Sequence, residues 1–341
     1  MNFTKKHILS LIVVVLLAYF LTVFKLPYYI YKPGGADALN PIVEVVEGYE
    51  SKGDMHLVTV SGGQATPIQY VWAKILPHHE ILALEEVRPD GITDDEYMHA
   101  QLQMMENSQE ASTVVAYKAA GAAITIDFNG VYVVSVVEDM PADGKLVMGD
   151  RIIGIDGNEI NEADDLISYV ETKQAQDVIK LDIVRDEETL TEEITLETFS
   201  ELEGRVGIGI RLVTDRSVTV EPEVRFSSGR IGGPSAGLMF ALEIYDQLTE
   251  KDLTGGYDIA GTGEVDYNGN VLRIGGIDKK VIASDKEGVD IFFAPSENGS
   301  ETSNYILAKE TAEEIGTEMK IVPVDTFNDA LKYLKEIDPK S

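Results

Sequence analysis

Residues 232–240 read GGPSAGLMF and residues 259–280 read IAGTGEVDYNGNVLRIGGIDKK. The first stretch sets Ser235 in a G-x-S-x-G turn ahead of a predicted helix over 236–248. That helix is apolar on most sides, which marks it as buried. The second predicts strands over 259–267 and 270–274, joined across Asn268-Gly269, a strong two-residue hairpin signal. A helix over 278–287 follows. Further on, strands over 289–294 and 319–324 alternate with helices over 308–315 and 326–337, the last capped by Asp325. With a short strand over 224–226 before the serine turn, the layout is α/β.

A nucleophilic serine needs a base. In α/β-hydrolases the His follows the Ser in chain order, whereas all five His residues, His7, His56, His78, His79 and His99, precede Ser235. A His-first order using His56 or His99 stays formally open, although the strand–helix alternation does not suit the double β-barrel in which it occurs. Lys is the natural substitute once burial lowers its pKa. Lys280 lies three residues after Ile277 and four before Ser284, on the inward face of its helix, while Lys279 points elsewhere. Taken alone, Lys280 would read as a surface lysine laying its stem along the helix.

The serine turn, the TGE segment and the GGI-x-x-K segment occur together and in order, and the run from Arg205 to Ile337 resembles the proteolytic domain of the Lon family of serine-lysine peptidases. The resemblance implies that Ser235 is the nucleophile and Lys280 the general base. It also implies that Thr262 holds the lysine amine by a hydrogen bond. Backbone N–H groups around Gly233, Ser235 and Ala236 are expected to stabilise the oxyanion. Many Lon proteins carry an acidic residue two places before the motif's proline, where this chain has Gly232. No G-x-x-x-x-G-K-[ST] phosphate loop occurs in the sequence, so no ATP-driven unfolding is expected and substrates should arrive short, extended or unfolded. No cofactor and no metal are expected.

Upstream, from 122 to 198, short strands alternate with compact turns. Val131–Val137, Asp150–Ile155 and Val178–Val184 read as strands, 141–144 and Asp156-Gly157 as turns, and 164–171 as a short helix. Gly149-Asp150-Arg151-Ile152-Ile153 followed by Asp156-Gly157-Asn158 carries a resemblance to PDZ domains of the bacterial type; an unrelated small β-rich domain is the alternative. The resemblance implies capture of an extended peptide as an added strand, usually by its free C-terminus.

Earlier still, 42–46 and 56–60 read as strands around a turn at 51–54, and Asp94–Ser108 has helical composition, with Gly121 a plausible stop for its continuation. His78-His79 after Pro77 reads as a surface loop rather than a metal pair, and Trp72 as a core residue. His7–Phe24, HILSLIVVVLLAYFLTVF, is long and apolar enough to cross a bilayer. Lys5 and Lys6 hold residues 1–6 on the cytoplasmic side, although Lys25 and Lys32 on the far side weaken that asymmetry. A cleaved signal peptide is the alternative, but no small-x-small cleavage signal stands near the end of the run. An uncleaved anchor over 7–25 is expected, with Tyr28, Tyr29 and Tyr31 at the outer interface.

The chain has 341 residues and a hydrophobic fraction of 44%, enough to build domain cores and to exclude wholesale disorder. Its 28 Lys+Arg against 59 Asp+Glu leave a net charge of −31, which repels phosphate backbones and argues against nucleic-acid partners. The absence of Cys excludes disulfides and thiolate chemistry, and is compatible with work outside the reducing cytosol. The combination of anchor, PDZ domain and Lon-type domain resembles the PDZ-containing Lon-like proteases of Gram-positive bacteria. In that family the segment before the PDZ domain, here 35–118, helps complete the protease domain at 204–337. The expected function is therefore a membrane-anchored, ATP-independent serine endopeptidase, cleaving exported peptides or unfolded proteins at the cell surface. A non-catalytic PDZ adaptor that binds exported polypeptide ends is the alternative.

Overall fold

The computed structural model describes residues 5–88, 92–199 and 204–340; residues 1–4 of the expected cytoplasmic tail lie outside it. Its helices are α1 (Lys5–Val23), α2 (Pro67–Ala73), α3 (Leu84–Val87), α4 (Asp94–Ala120), α5 (Ala163–Glu171), α6 (Gly237–Leu248), α7 (Ile277–Glu287), α8 (Asn304–Ile315) and α9 (Phe327–Glu336). The chain divides into two compact units, Met1–Ala123 with Val220–Ser341, and Ile124–Thr219.

The first unit is discontinuous in sequence. Its six-stranded sheet runs in the order Lys320–Val324, Ile291–Pro295, Ile259–Gly261, Met55–Gln64, Tyr28–Ala38, Glu80–Ala83. Ile259–Gly261 pairs in parallel with Met55–Gln64 on one side and Ile291–Pro295 on the other, so residues from both ends of the chain share one hydrogen-bonded ladder. The three C-terminal strands are parallel; Ile259–Gly261 and Ile291–Pro295 are apolar runs buried throughout, as expected of strands covered on both faces, whereas the edge strand Lys320–Val324 exposes Lys320 and Pro323. Phe292 and Ala294 on one of them pack with Ala260, Ile277, Val281 and Ala308 from the sheet and helices α7 and α8.

Two elements differ from the sequence expectation. The tyrosine-rich segment is a strand, Tyr28–Ala38, paired antiparallel with Met55–Gln64 through an irregularity between Pro33 and Ala36. The Pro33-Gly34-Gly35 run hides it from pattern reading, because Pro lacks a ladder donor and Gly is depleted in strands. Helix α4 runs from a capping box at Thr93 and Glu96 to Gly121, which stops it in the left-handed conformation (φ +68°). It continues past the 94–108 core to the stop expected at Gly121, and its second half is buried at Ala111 to Tyr117. The C-terminal helix starts at a capping box on Thr326 rather than Asp325.

The second unit holds a sheet in the order Ile210–Glu221, Ala123–Val136, Arg151–Ile155, Val178–Arg185, Glu188–Thr195. Its core is aliphatic, with Ile152, Ile155, Ile179, Leu181, Ile183 and Ile194 all sequestered. Asp150, 1% exposed, is held by Arg185 through Nε and Nη2, both 2.6 Å away, and by the Val147 N–H at 2.9 Å. Burial raises its pKa, but the Arg185 and Val147 hydrogen bonds outweigh that and lower it. The Gly-Asp-Arg segment is therefore a structural clamp. Residues 204–219, expected in the protease domain, belong to this unit, because Ile210–Glu221 joins the same sheet.

Candidate active site

Ser235 sits in the tight turn that opens α6. Gly233 takes φ +89°, a conformation that a side chain at this position would strain. Gly237 starts the helix where an added Cβ would lie 2.8 Å from the Val265 nitrogen and 2.9 Å from Ser108 Oγ, so only glycine lets the turn approach α4 and the hairpin this closely. On the far side, Leu238 N–H donates to Gly263 O and Gly263 N–H donates to Ser235 O, both at 3.0 Å. The two quoted stretches are thus knit together by backbone.

The structure brings all three expected site residues together. Lys280 Nζ lies 2.8 Å from Ser235 Oγ and 3.0 Å from Thr262 Oγ1. Thr262 Oγ1 in turn donates to the Ser235 carbonyl at 2.9 Å, so its lone pairs are left to receive a proton of the amine. Thr262 and Lys280 are buried and Ser235 is partly exposed. Lys280 is 3% exposed, and desolvation lowers its pKa to about 7. An uncharged amine beside a reachable hydroxyl is a base poised against a nucleophile.

Its neighbour shows what the environment contributes. Lys279, which the helix period turns away from the face of Lys280, is also buried, and its Nζ reaches Glu80 at 2.8 Å and Asp278 at 3.0 Å. Burial lowers the Lys279 pKa, but hydrogen bonds to Glu80 and Asp278 outweigh it and hold the ammonium above its usual value. Two consecutive lysines on α7 are shifted in opposite directions, because one has carboxylates and the other has hydroxyls.

Sequence reasoning missed the support from α4. Ser108 Oγ donates to the Pro234 carbonyl at 2.9 Å, Ser112 Oγ lies 2.8 Å from the Gly237 carbonyl, and Gly233 N–H donates to the Gln101 carbonyl at 2.8 Å. The last bond corrects the expectation that Gly233 N–H serves an oxyanion, since that donor is occupied. The N–H groups of Ser235 and Ala236 have no hydrogen-bond partner among the described residues. No local motif announces the α4 contacts; only the small-polar spacing Ser108-x-x-x-Ser112 on one helix face hints at them.

The histidines stay apart from this chemistry. His56 Nε2 is 3.6 Å from Asp258 Oδ1, and His79 Nδ1 contacts the Pro77 carbonyl. Among the described residues no cluster of His, Asp and Glu could hold a metal. Trp72, expected in the core, is exposed.

Within the second unit, α5 and the segment 205–212 enclose a groove. Leu166, Ile167 and Val170 line one wall, and Val206, Ile208 and Ile210 the other. Ile210–Glu221 is an edge strand of its sheet.

Two family models match parts of the chain. A model described as the Lon protease (S16) C-terminal proteolytic domain matches residues 223–336, and a PDZ domain model matches 97–196. The chain carries a PDZ domain and a Lon-type proteolytic domain. The PDZ match begins inside α4, which in the structure packs against α6 of the protease unit.

Relatives include the Lon protease of Campylobacter concisus, 40% identical over 100 residues, and that of Campylobacter jejuni, 31% identical over 137 residues. These matches cover 29% and 38% of this chain, and 12% and 16% of the relatives' own length. The PDZ domain of an SdrC-like protein from Listeria monocytogenes is 36% identical, covering 25% of this chain and 90% of that one, with a TM-score of 0.24. The part of the chain that matches the Lon model, residues 223–336, is the part that holds Ser235, Thr262 and Lys280.

Proposed function

We propose that the chain is a membrane-anchored, ATP-independent serine endopeptidase working through a Ser235–Lys280 dyad. The observation that carries the reading is the buried Lys280 amine, 2.8 Å from Ser235 Oγ and shifted toward neutrality by desolvation alone. Neutral Lys280 accepts the Ser235 proton, and the alkoxide attacks a peptide carbonyl. The resulting tetrahedral oxyanion forms beside the Ser235 and Ala236 N–H groups. Lys280 then returns the proton to the departing amine, and water, activated by the same amine, hydrolyses the acyl-enzyme. Thr262 accepts one N–H of the amine and so aims its lone pair at Ser235.

Helix α1 is long and apolar enough to cross a membrane, and Lys5 and Lys6 before it favour a cytoplasmic N-terminus. The bulk of the chain then lies outside the cell, where exported peptides or unfolded proteins are the accessible substrates. The PDZ groove supplies a place for a substrate end to add along the edge strand. This layout resembles the streptococcal pheromone-processing protease SepM, and trimming of a secreted signalling peptide belongs to the same reading.

The test is to incubate the full chain with a library of unstructured peptides and read the masses. New fragments are expected, and Ser235→Ala and Lys280→Ala should each lower turnover by about 10⁴-fold or more while leaving the circular dichroism unchanged. Full turnover in either variant contradicts the dyad. No fragments from the unaltered chain between about pH 6 and 9 would favour a binding-only adaptor.

A further inference from the structure

Ile68, Val71, Trp72, Ile75 and Leu76 follow the i, i+3, i+4, i+7, i+8 spacing of one helix face. The helical path continues past the end of α2, since the N–H groups of Ile75 and Leu76 both donate to the Trp72 carbonyl, at 3.0 and 2.9 Å. All five side chains are exposed, with Val71 at 57%, Trp72 at 54% and Ile75 at 69%. The opposite side is already used: Ala73 is buried with Ile30 and Ala65, and Tyr70 and Ile81 pack there. A contiguous outward apolar face on a helix whose inner face is already packed marks an interaction surface.

The position of this face is tied to the anchor. Leu26, three residues beyond α1, donates its N–H to the Ala65 carbonyl at 2.8 Å, and its own carbonyl accepts from Gln64 Nε2 at 3.0 Å. Lys25 Nζ reaches the Gln64 carbonyl at 3.2 Å. Thr66, which follows Ala65, caps α2 through a capping box with Gln69, and Pro67 starts it. Helix α2 therefore begins at the level where α1 ends, and the two helices pack against each other.

Charge points the same way. The chain is strongly acidic, yet no Asp or Glu occurs between Asp54 and Glu80. The ionisable groups beside the face are Lys74, His78 and His79, and Lys25 flanks it at the anchor's exit. A segment without acidic side chains of its own is what anionic headgroups tolerate. On the inner side of the helix the rings of Tyr28 and Tyr70 meet at 4.8 Å in a tilted pair, and Lys74 Nζ lies 4.8 Å from the Tyr70 ring centroid. Amphipathic rings with a lysine nearby suit the headgroup layer.

We propose that α2 and the turn to Leu76 lie flat on the lipid surface beside the anchor's exit, with Trp72 seated among the headgroups. The membrane then holds the protease unit at two points, the spanning helix and this face, and fixes the orientation of the catalytic unit toward the bilayer. The inference rests on the reading of α1 as a membrane anchor. A second copy of the chain is a weaker occupant, because neither the continuity with α1 nor the gap in acidic residues would be needed for it.

Trp72 is the single tryptophan of the chain, so its emission reports this face alone. The full chain is reconstituted in phosphatidylcholine–phosphatidylglycerol vesicles whose acyl chains carry bromine near the headgroup. The expected result is a blue-shifted emission quenched about twofold or more by the brominated lipid and protected from aqueous iodide. The triple variant Ile68→Ser, Val71→Ser, Ile75→Ser should still float with the vesicles, lose most of that quenching and regain iodide access. If the unaltered chain floats but Trp72 is quenched by iodide and not by bromine, the docking is wrong and the anchor stands. Shielding from both quenchers assigns the face to a protein partner and overturns the proposal. A chain that fails to float overturns the anchor reading and this inference with it.

Discussion

At the residue scale the site depends on what the Lys280 amine touches. Lys279, one position away, is also inaccessible to solvent but is held charged by Glu80 and Asp278, so burial alone does not lower a lysine's pKa; at Lys280 desolvation acts with no carboxylate to oppose it. On the proposed reading Thr262 acts through Lys280 as a positioning residue. Thr262→Val should lower kcat about 10- to 100-fold with KM little changed, the loss expected of one buried hydrogen bond of about 1–3 kcal/mol. Thr262→Ser, which keeps the hydroxyl, should restore most of it; steady-state kinetics on one peptide distinguishes this from general unfolding. The contact of Ser235, Thr262 and Lys280 was legible in sequence because its signals are local: a serine turn, a TGE segment and a lysine one helical turn into a helix. Ser108, Ser112 and Gln101 were not legible, because their contacts with 233–237 cross more than a hundred positions and consist of carbonyls and hydroxyls that leave no pattern.

At the element scale, α4 supports the nucleophile turn. Its face presents Ser108 and Ser112 to the carbonyls of Pro234 and Gly237, and its Gln101 carbonyl receives the Gly233 N–H. Ser108→Ala removes the bond to the carbonyl immediately before Ser235. The expected cost is about 1 kcal/mol in denaturant unfolding, with a fall in kcat larger than any change in KM, because the turn loses a constraint on the nucleophile's backbone. The helices and strands after Val224 were readable, because each is a periodic segment bounded by turn or cap residues. The Tyr28–Ala38 strand was hidden by its own Pro and Gly residues, and it is held in place by Met55–Gln64 rather than by propensity. The exposure of Trp72 escaped the sequence reading for a related reason. An apolar stripe looks the same whether it meets a core or another surface, and only the packing of Ala73 against Ile30 and Ala65 shows which side was already filled.

At the scale of the whole molecule, the sheet that carries the site joins strands from before and after the PDZ unit, so neither flank completes that sheet alone. On the proposed reading the PDZ groove captures and the dyad cleaves, which makes the two separable in kinetics. Ile167, partly exposed on the α5 wall of the groove, can be replaced without touching the dyad. Ile167→Arg should raise KM for long peptides with a free C-terminus, while kcat on peptides too short to span both sites stays unchanged. The most direct test of the account is the pH dependence of kcat/KM for the intact chain on one short peptide. An amine whose pKa falls to about 7 is protonated and inactive below that value and free above it, so activity should rise through about pH 7 and level off. Glu243, buried on α6, is also raised to about 7, chiefly by burial, so the rise must survive in Glu243→Gln. A profile that is flat from about pH 5 to 9, that rises only near the ordinary lysine value of about 10.4, or that loses its rise in Glu243→Gln would contradict Lys280 as the base.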